Sequence, residues 1–298
     1  MIPDAILQEL QYIEITASRK MRNTRVGPYT SPLRGVGFDF DQHQPYQPGD
    51  DVRRIDWNVT ARLNAPFVRH THAERELTMM LAMDVSRSMI LGTTHQSKRE
   101  AMMYLTGSLL FSALANQITT GFLAFDEEVV VDSPPRRTRS AAWAVLQECW
   151  AALDRPPRRR RAGTALVPMV EHLLATLRRK SVVVLVSDFM SDERLFESRA
   201  VSMLAARHEV IAVIPEDPGE RELPPGPGFL RVRDLESGRF TTVSLGARTR
   251  QRFAADAAER RAAMEQACYR IPIEHVFVPT DQHAVEPLLE FFARKVRS

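Results

Sequence analysis

Long hydrophobic runs are missing from this 298-residue chain. The longest unbroken stretches of strong hydrophobes span about five residues, Val182 to Val186 among them, whereas a membrane-spanning helix needs roughly 20. Cysteine is scarce. Cys149 and Cys268 are too few for a disulfide framework or a four-thiolate zinc site, and both read as free thiols of a cytosolic protein. Lysine is scarce too: Lys20, Lys98, Lys180 and Lys295 leave 36 arginines among 40 basic residues. With a net charge of only +3, that bias reflects composition more than nucleic-acid binding. Met1 to Leu10 carries Asp4 and Glu9 and lacks a basic start before an apolar block, so no secretory leader is expected. No Gly-x-x-x-x-Gly-Lys-Ser/Thr loop occurs, so the chain itself is not expected to hydrolyse ATP. Nor is there a Gly-x-Ser-x-Gly elbow or a plausible Ser/His/Asp order.

What remains is the composition of an ordinary soluble globular protein, 44% apolar and 26% charged. Ile6, Leu7, Leu10, Ile13 and Ala17 recur at spacings of three and four, predicting an amphipathic helix over 4–22. Residues 23–66 are rich in Gly, Pro, Asp and aromatics, which set turns. From 79 onward, short apolar strands alternate with helices. Strands are expected at 79–85, 119–125, 128–132, 181–187, 209–214 and 273–278. Helices are expected at about 97–115, 138–153, 165–179, 193–206, 247–270 and 284–296. A hairpin, 229–235 and 239–245, follows a Pro/Gly-rich linker. This alternation predicts an α/β, doubly wound, mostly parallel sheet covered on both faces. No repeat of 20–50 residues is visible.

Ligands of an open α/β sheet bind beyond the carboxyl ends of its strands. After the first core strand stands Asp84-Val85-Ser86-Arg87-Ser88-Met89, with oxygen-bearing side chains at every second position. Asp188 follows the 181–187 strand, and Gly163-Thr164 precedes the 165–179 helix. Asp84, Ser86, Ser88, Thr164 and Asp188 thus place two carboxylates and three hydroxyls on separate loops at one sheet edge. All are hard oxygen donors, a set that suits Mg2+, Mn2+ or Ca2+ rather than zinc or copper. The competing reading of Asp-x-Ser-x-Ser is a pair of helix caps.

These five residues resemble the metal-ion-dependent adhesion site of the von Willebrand factor A domain, and the element order from 79 to 296 is similar to that fold. Upstream, Gly35-Val36-Gly37, Asp39-Phe40, Tyr46, Gly49-Asp50-Asp51, Arg53, Ile55-Asp56-Trp57, Ala61-Arg62 and Glu74-Arg75 resemble the bacterial MoxR-associated von Willebrand A-like proteins, catalogued as a domain of unknown function. One departure is Gln44, where members often have Arg. The resemblance implies two parts: residues 1–76, a helix and signature segment packed on the main domain, and 77–298, the von Willebrand A-like domain with a hairpin insertion near 229–245. It also implies an interaction function rather than an enzyme: a Mg2+-dependent (or Mn2+/Ca2+-dependent) contact with an acidic client protein, in partnership with a MoxR-type AAA+ ATPase, in chaperone-like assembly or activation. One branch is linked to methanol dehydrogenase maturation. Many relatives carry N-terminal membrane spans; none is found here, so a cytoplasmic location is expected.

Two other classes compete. Asp84 could be the nucleophile of a Mg2+-dependent phosphohydrolase, although that chemistry usually wants a second Asp where Ser86 stands. Arg155-Pro156-Pro157-Arg158-Arg159-Arg160-Arg161 could bind nucleic acid, recognise an acidic partner surface, or be a solvated loop. Within 35–62, Trp57 is expected as a buried anchor, and Asp51 or Asp56 as a partner of Arg53 or Arg62; the segment could instead dock the ATPase. His70 and His72 lack a third ligand nearby. The 247–270 helix reads as a charged, solvated face with Phe253, Ala257 and Met264 inward.

Overall fold

Residues 79–83 are apolar without interruption, and the strand they form is buried on both faces. The computed structural model describes residues 1–23, 42–47, 52, 55–63, 65–70, 77–155, 166–190, 195–233 and 239–295. The first elements are α1 (Asp4–Asn23), β1 (Gln42–Pro45), α2 (Trp57–Leu63), β2 (Phe67–His70), β3 (Thr78–Asp84), α3 (Lys98–Ala115), β4 (Thr119–Phe125), β5 (Val129–Arg136) and α4 (Arg139–Leu153). There follow α5 (Leu166–Thr176), β6 (Val182–Val186), α6 (Arg199–Arg207), β7 (Glu209–Glu216), α7 (Pro218–Arg221), β8 (Phe229–Arg233), β9 (Phe240–Ser244), α8 (Ala247–Arg270), β10 (Ile273–Pro279) and α9 (Val285–Lys295).

Six strands form one sheet in the order β10-β7-β6-β3-β4-β5. All pairings are parallel except β4–β5, which is antiparallel. This is the doubly wound, mostly parallel α/β architecture that the element order predicts. The two-residue period of a strand sorts its side chains into two cores. Met79, Leu81 and Met83 join Leu105, Leu109, Leu146 and Phe292 on one face. Met80 and Ala82 join Val170, Leu173, Leu204 and Cys268 on the other. The chain lays down β3, β4 and β5 in one direction, then returns to place β6 on the free side of β3. The carboxyl ends of β3 and β6 therefore flank the topological switch point, where such sheets open a crevice.

The predicted face of α1 is the one that packs. Ile6 and Leu10 are buried against α3, with Leu7, Ile13 and Ala17 at the margin of the same core. Contact is close at Gly107 of α3, where a Cβ would fall 2.4 Å from Leu10 Cδ2. Helix starts follow capping chemistry. Ser97 and Glu100 form a capping box on α3, Thr138 accepts the Ala141 amide on α4, and Ser198 accepts the Ala200 amide on α6. Ser198 also cuts the helix expected over 193–206, so that α6 begins at Arg199.

Trp57 is a correction. It is 69% exposed, not a buried anchor, because it opens the short α2, which buries none of its residues. Asp56 serves as the cap of that helix, its Oδ1 accepting the amides of Asn58 at 3.0 Å and Val59 at 3.2 Å. Asp51, Arg53 and His72 lie outside the described residues. Cys149 and Cys268 are free and buried; burial pushes the Cys149 thiol up to about 12 and the Cys268 thiol up to about 11, which makes both poor nucleophiles. Among the described residues no helix is long and apolar enough to cross a membrane.

Candidate functional site

Asp84 is the last residue of the central strand β3, and the chain leaves the sheet immediately after it. The Val85 amide still donates to Phe125 O at 2.8 Å. Ser86 is then extended (φ −64°, ψ 170°), and a 3-10 turn covers Arg87–Ile90. Met89, fully buried in the core, pins that turn from below. Ser86 and Ser88 are thereby held on one side, with their hydroxyl oxygens 3.2 Å apart. The alternate-residue convergence expected from Asp-x-Ser-x-Ser is present at these three positions.

The second loop leaves β6. Val186 pairs with Met83, so Ser187 stands beside Asp84. The Ser187 hydroxyl donates to Asp84 Oδ2 at 2.7 Å, and the Ser86 amide donates to Asp84 Oδ1 at 2.8 Å. Phe189 then adopts a left-handed backbone (φ 53°), a conformation disfavoured for a side chain with Cβ. Its ring is buried against Phe196, with centroids 5.5 Å apart, and its amide donates to Ser187 Oγ at 3.0 Å. This sharp turn sets Asp188, whose Oδ1 accepts the Met190 amide at 3.2 Å.

Asp84 is only 1% exposed and Asp188 only 8%. Burial, reinforced by the neighbouring Asp188 charge, pushes the Asp84 carboxyl up to about 7; the Ser187 and Ser86 hydrogen bonds pull the other way and lose. Among the described residues every donor to Asp84 is neutral, a hydroxyl or an amide. A buried carboxylate without a cationic partner is costly, and this one has a second carboxylate beside it.

Of the five residues singled out in the sequence, Asp84, Ser86, Ser88 and Asp188 come together at the switch point. Thr164 and Gly163 lie outside the described residues, as do Pro156 to Arg161 of the arginine run. Two participants were missed. Ser187 is fully buried, and its role shows only once β6 is set in register with β3. Lys98 is also fully buried, and its Nζ lies 3.3 Å from Asp188 Oδ2 and 2.5 Å from Glu220 Oε1. A signal for Lys98 was available: a cation in the first turn of a helix opposes the helix dipole, so Lys after the Ser97 cap calls for carboxylates nearby. Glu220 is held in turn by the capping box of α7, its Oε2 accepting the Asp217 amide at 3.0 Å.

Among the described residues no three His, Cys, Asp or Glu side chains group as a metal-binding cluster. A cation at this rim would therefore depend on serine hydroxyls as well as Asp84 and Asp188, a hard-oxygen set that fits Mg2+, Mn2+ or Ca2+. A separate cavity of about 950 Å3 runs along β10 between α8 and α9. Two of its basic residues are ion-paired, Arg261 to Glu216 at 2.5 Å and Lys295 to Glu209 at 2.5 Å.

Comparison with known proteins places the chain. A family model matches residues 42–263, well over half of it. The chain belongs to the family described as Protein of unknown function DUF58. Uncharacterized proteins of Mycobacterium tuberculosis and Mycobacterium bovis are each 30% identical over 288 residues, covering 97% of this chain and 89% of theirs. Among solved structures, this DUF58 chain is similar to the conserved hypothetical protein BatB from Bacteroides thetaiotaomicron (16% identity, TM-score 0.46, 74% of this chain and 100% of that one). It is also similar to the SpRpn10 VWA domain (15% identity, TM-score 0.39, 73% and 94%). Both are distant likenesses.

Proposed function

We propose that this DUF58 protein is a metal-dependent protein–protein interaction module. The observation that carries the reading is Asp84: a buried carboxylate that, among the described residues, is served by neutral donors, beside Asp188, at the switch point of the sheet. Asp84, Ser86, Ser88 and Asp188 would hold the ion, with Thr164 completing the set. A divalent cation there supplies a coordination position that an external carboxylate can fill. Ser187 and the Ser86 amide orient Asp84, and the Phe189 turn orients Asp188. The partner group is an acidic side chain of a client protein, and the resemblance adds a MoxR-type AAA+ ATPase acting with the module in assembly or activation, within the cytoplasm.

The phosphohydrolase reading fares worse. That chemistry wants a second acid two residues after the nucleophile, and the position holds Ser86, whose amide and hydroxyl serve Asp84 instead. The nucleic-acid reading rests on the Arg155–Arg161 run, of which Pro156 to Arg161 lie outside the described residues, so no observation of the structure favours it.

The test is co-purification of the MoxR-type ATPase from the same cells on immobilised chain, with Mg2+ or with chelator, using wild type and Asp84→Ala. Retention by wild type in Mg2+ alone supports the module. Equal retention in all four arms removes the metal from the interaction. Mg2+-dependent phosphatase turnover lost in Asp84→Asn would replace the proposal with the enzyme reading.

A further inference from the structure

Lys98 is the most unusual charge in the molecule. Its side chain is completely buried, it sits on the first turn of α3 where the helix dipole repels a cation, and its ammonium lies between two acids from different loops. One acid is Asp188, a residue of the candidate metal site. The other, Glu220, belongs to the loop after β7. Burying an ammonium is unfavourable unless paired groups compensate, so Asp188 and Glu220 are what hold Lys98 in place. The geometry is asymmetric: Nζ is 2.5 Å from Glu220 and 3.3 Å from Asp188. The ammonium thus pairs with two carboxyl groups and does not reach the third, Asp84, whose hydrogen-bond donors among the described residues are all neutral.

We infer that Lys98 is a built-in counter-ion that competes with a divalent cation for Asp188, and that Glu220 is the acceptor that keeps Lys98 when Asp188 turns to the ion. The inference rests on the metal reading above and adds its regulation. Lys98 weakens the site to the point where ion binding is conditional, and it ties ion occupancy to the loop that carries Glu220. That loop is firmly anchored on its other side. Asp217 accepts the Thr93 amide at 2.9 Å, the Gly219 amide at 2.8 Å and the Thr280 hydroxyl at 3.1 Å. Thr93 lies in the segment between the Asp-x-Ser-x-Ser turn and α3. A shift of Lys98 from shared to sole pairing with Glu220 is therefore felt by a hydrogen-bonded unit joining residues 93, 217–220 and 280.

The experiment is Mn2+ binding to the full chain, followed by the loss of the free-ion EPR signal, in wild type, Asp84→Asn, Lys98→Met and the double variant Lys98→Met/Glu220→Gln. The double variant removes an ammonium and a carboxylate together. It leaves the local charge sum unchanged, and Asp188, the proposed ligand, is the partner left to the ion, so it keeps the test decisive if Lys98→Met alone fails to fold. The expected result is one Mn2+ per wild-type chain, lost in Asp84→Asn. Binding should be at least about tenfold tighter in Lys98→Met, as removal of a cation about 3 Å from a ligand carboxylate requires, and several-fold tighter in the double variant. Unchanged or weaker affinity in the double variant, with Asp84→Asn still abolishing binding, overturns the role of Lys98 and leaves the metal site standing. No Mn2+ bound by wild type, or binding indifferent to Asp84→Asn, overturns both.

Discussion

Asp84 is where this chain gives up stability for a site. Its carboxyl titrates near 3.8 when unperturbed and at about 7 in the folded protein, because burial and Asp188 disfavour the charged form. The folded chain thus holds this proton more tightly than the unfolded chain does. Its stabilising share is fully present below about pH 3.8 and lost as pH rises through about 7. A difference of about three pH units corresponds to roughly 4 kcal/mol at about 1.4 kcal/mol per unit. Asp84→Asn keeps the shape and abolishes the charge. In chelator at pH 8 the variant should be more stable than wild type by about 2–4 kcal/mol, and at pH 5 the gap should shrink to about 1–2 kcal/mol. Urea denaturation at both pH values measures this, and equal stability throughout would mean that Asp84 is already neutralised. The four residues seen to converge were legible because strand-end position and alternate spacing are local properties. Ser187 and Lys98 were not, since each acquires its role from a neighbour 103 or 90 positions away in the chain. Trp57 was misjudged for the opposite reason: a large aromatic signals burial only when its element packs into a core, and α2 buries none of its residues.

At the level of elements, the chain reads well wherever periodicity is long or burial is two-sided. The α1 face, the fully apolar β6 and the 24-residue α8 all lie where the pattern puts them. Short elements fixed by a single cap, such as α7 on Asp217 and Glu220, gave no pattern to detect. How α1 packs is also invisible in its own sequence, because the contact depends on a glycine in a different helix. Leu10 is fully buried, and its Cδ2 occupies the space that a side chain at position 107 would need. Leu10→Ala should cost about 2–5 kcal/mol through the void it leaves. Gly107→Ala should destabilise wild type, since the new methyl meets Leu10. In the Leu10→Ala background the same Gly107→Ala change should recover about 1 kcal/mol, from partial filling of the void and better helix propensity. Thermal unfolding of the four proteins checks the cycle. Additive effects would show that α1 does not rest on α3 at Gly107.

Across the whole molecule, the switch point couples the two halves of the sheet. The Asp84 turn comes from the β3–β4–β5 side, Asp188 from the β6–β7–β10 side, and the Ser187–Asp84 hydrogen bond is where they meet. An ion gripped by both turns binds only the folded chain, so it stabilises the sheet as a unit by mass action. At a Mg2+ concentration 100 times the dissociation constant the gain is about 2.7 kcal/mol. At roughly 2 °C per kcal/mol for a chain of this size, the melting temperature should rise by about 5 °C. The rise should be absent in Asp84→Asn and larger at pH 8 than at pH 5, because a protonated Asp84 must lose its proton to act as a ligand. Calorimetry over a Mg2+ series at both pH values is the measurement. A rise of equal size in Asp84→Asn would place the ion elsewhere. A rise larger at pH 5 would mean that the ligand is not Asp84, whatever its neighbours do.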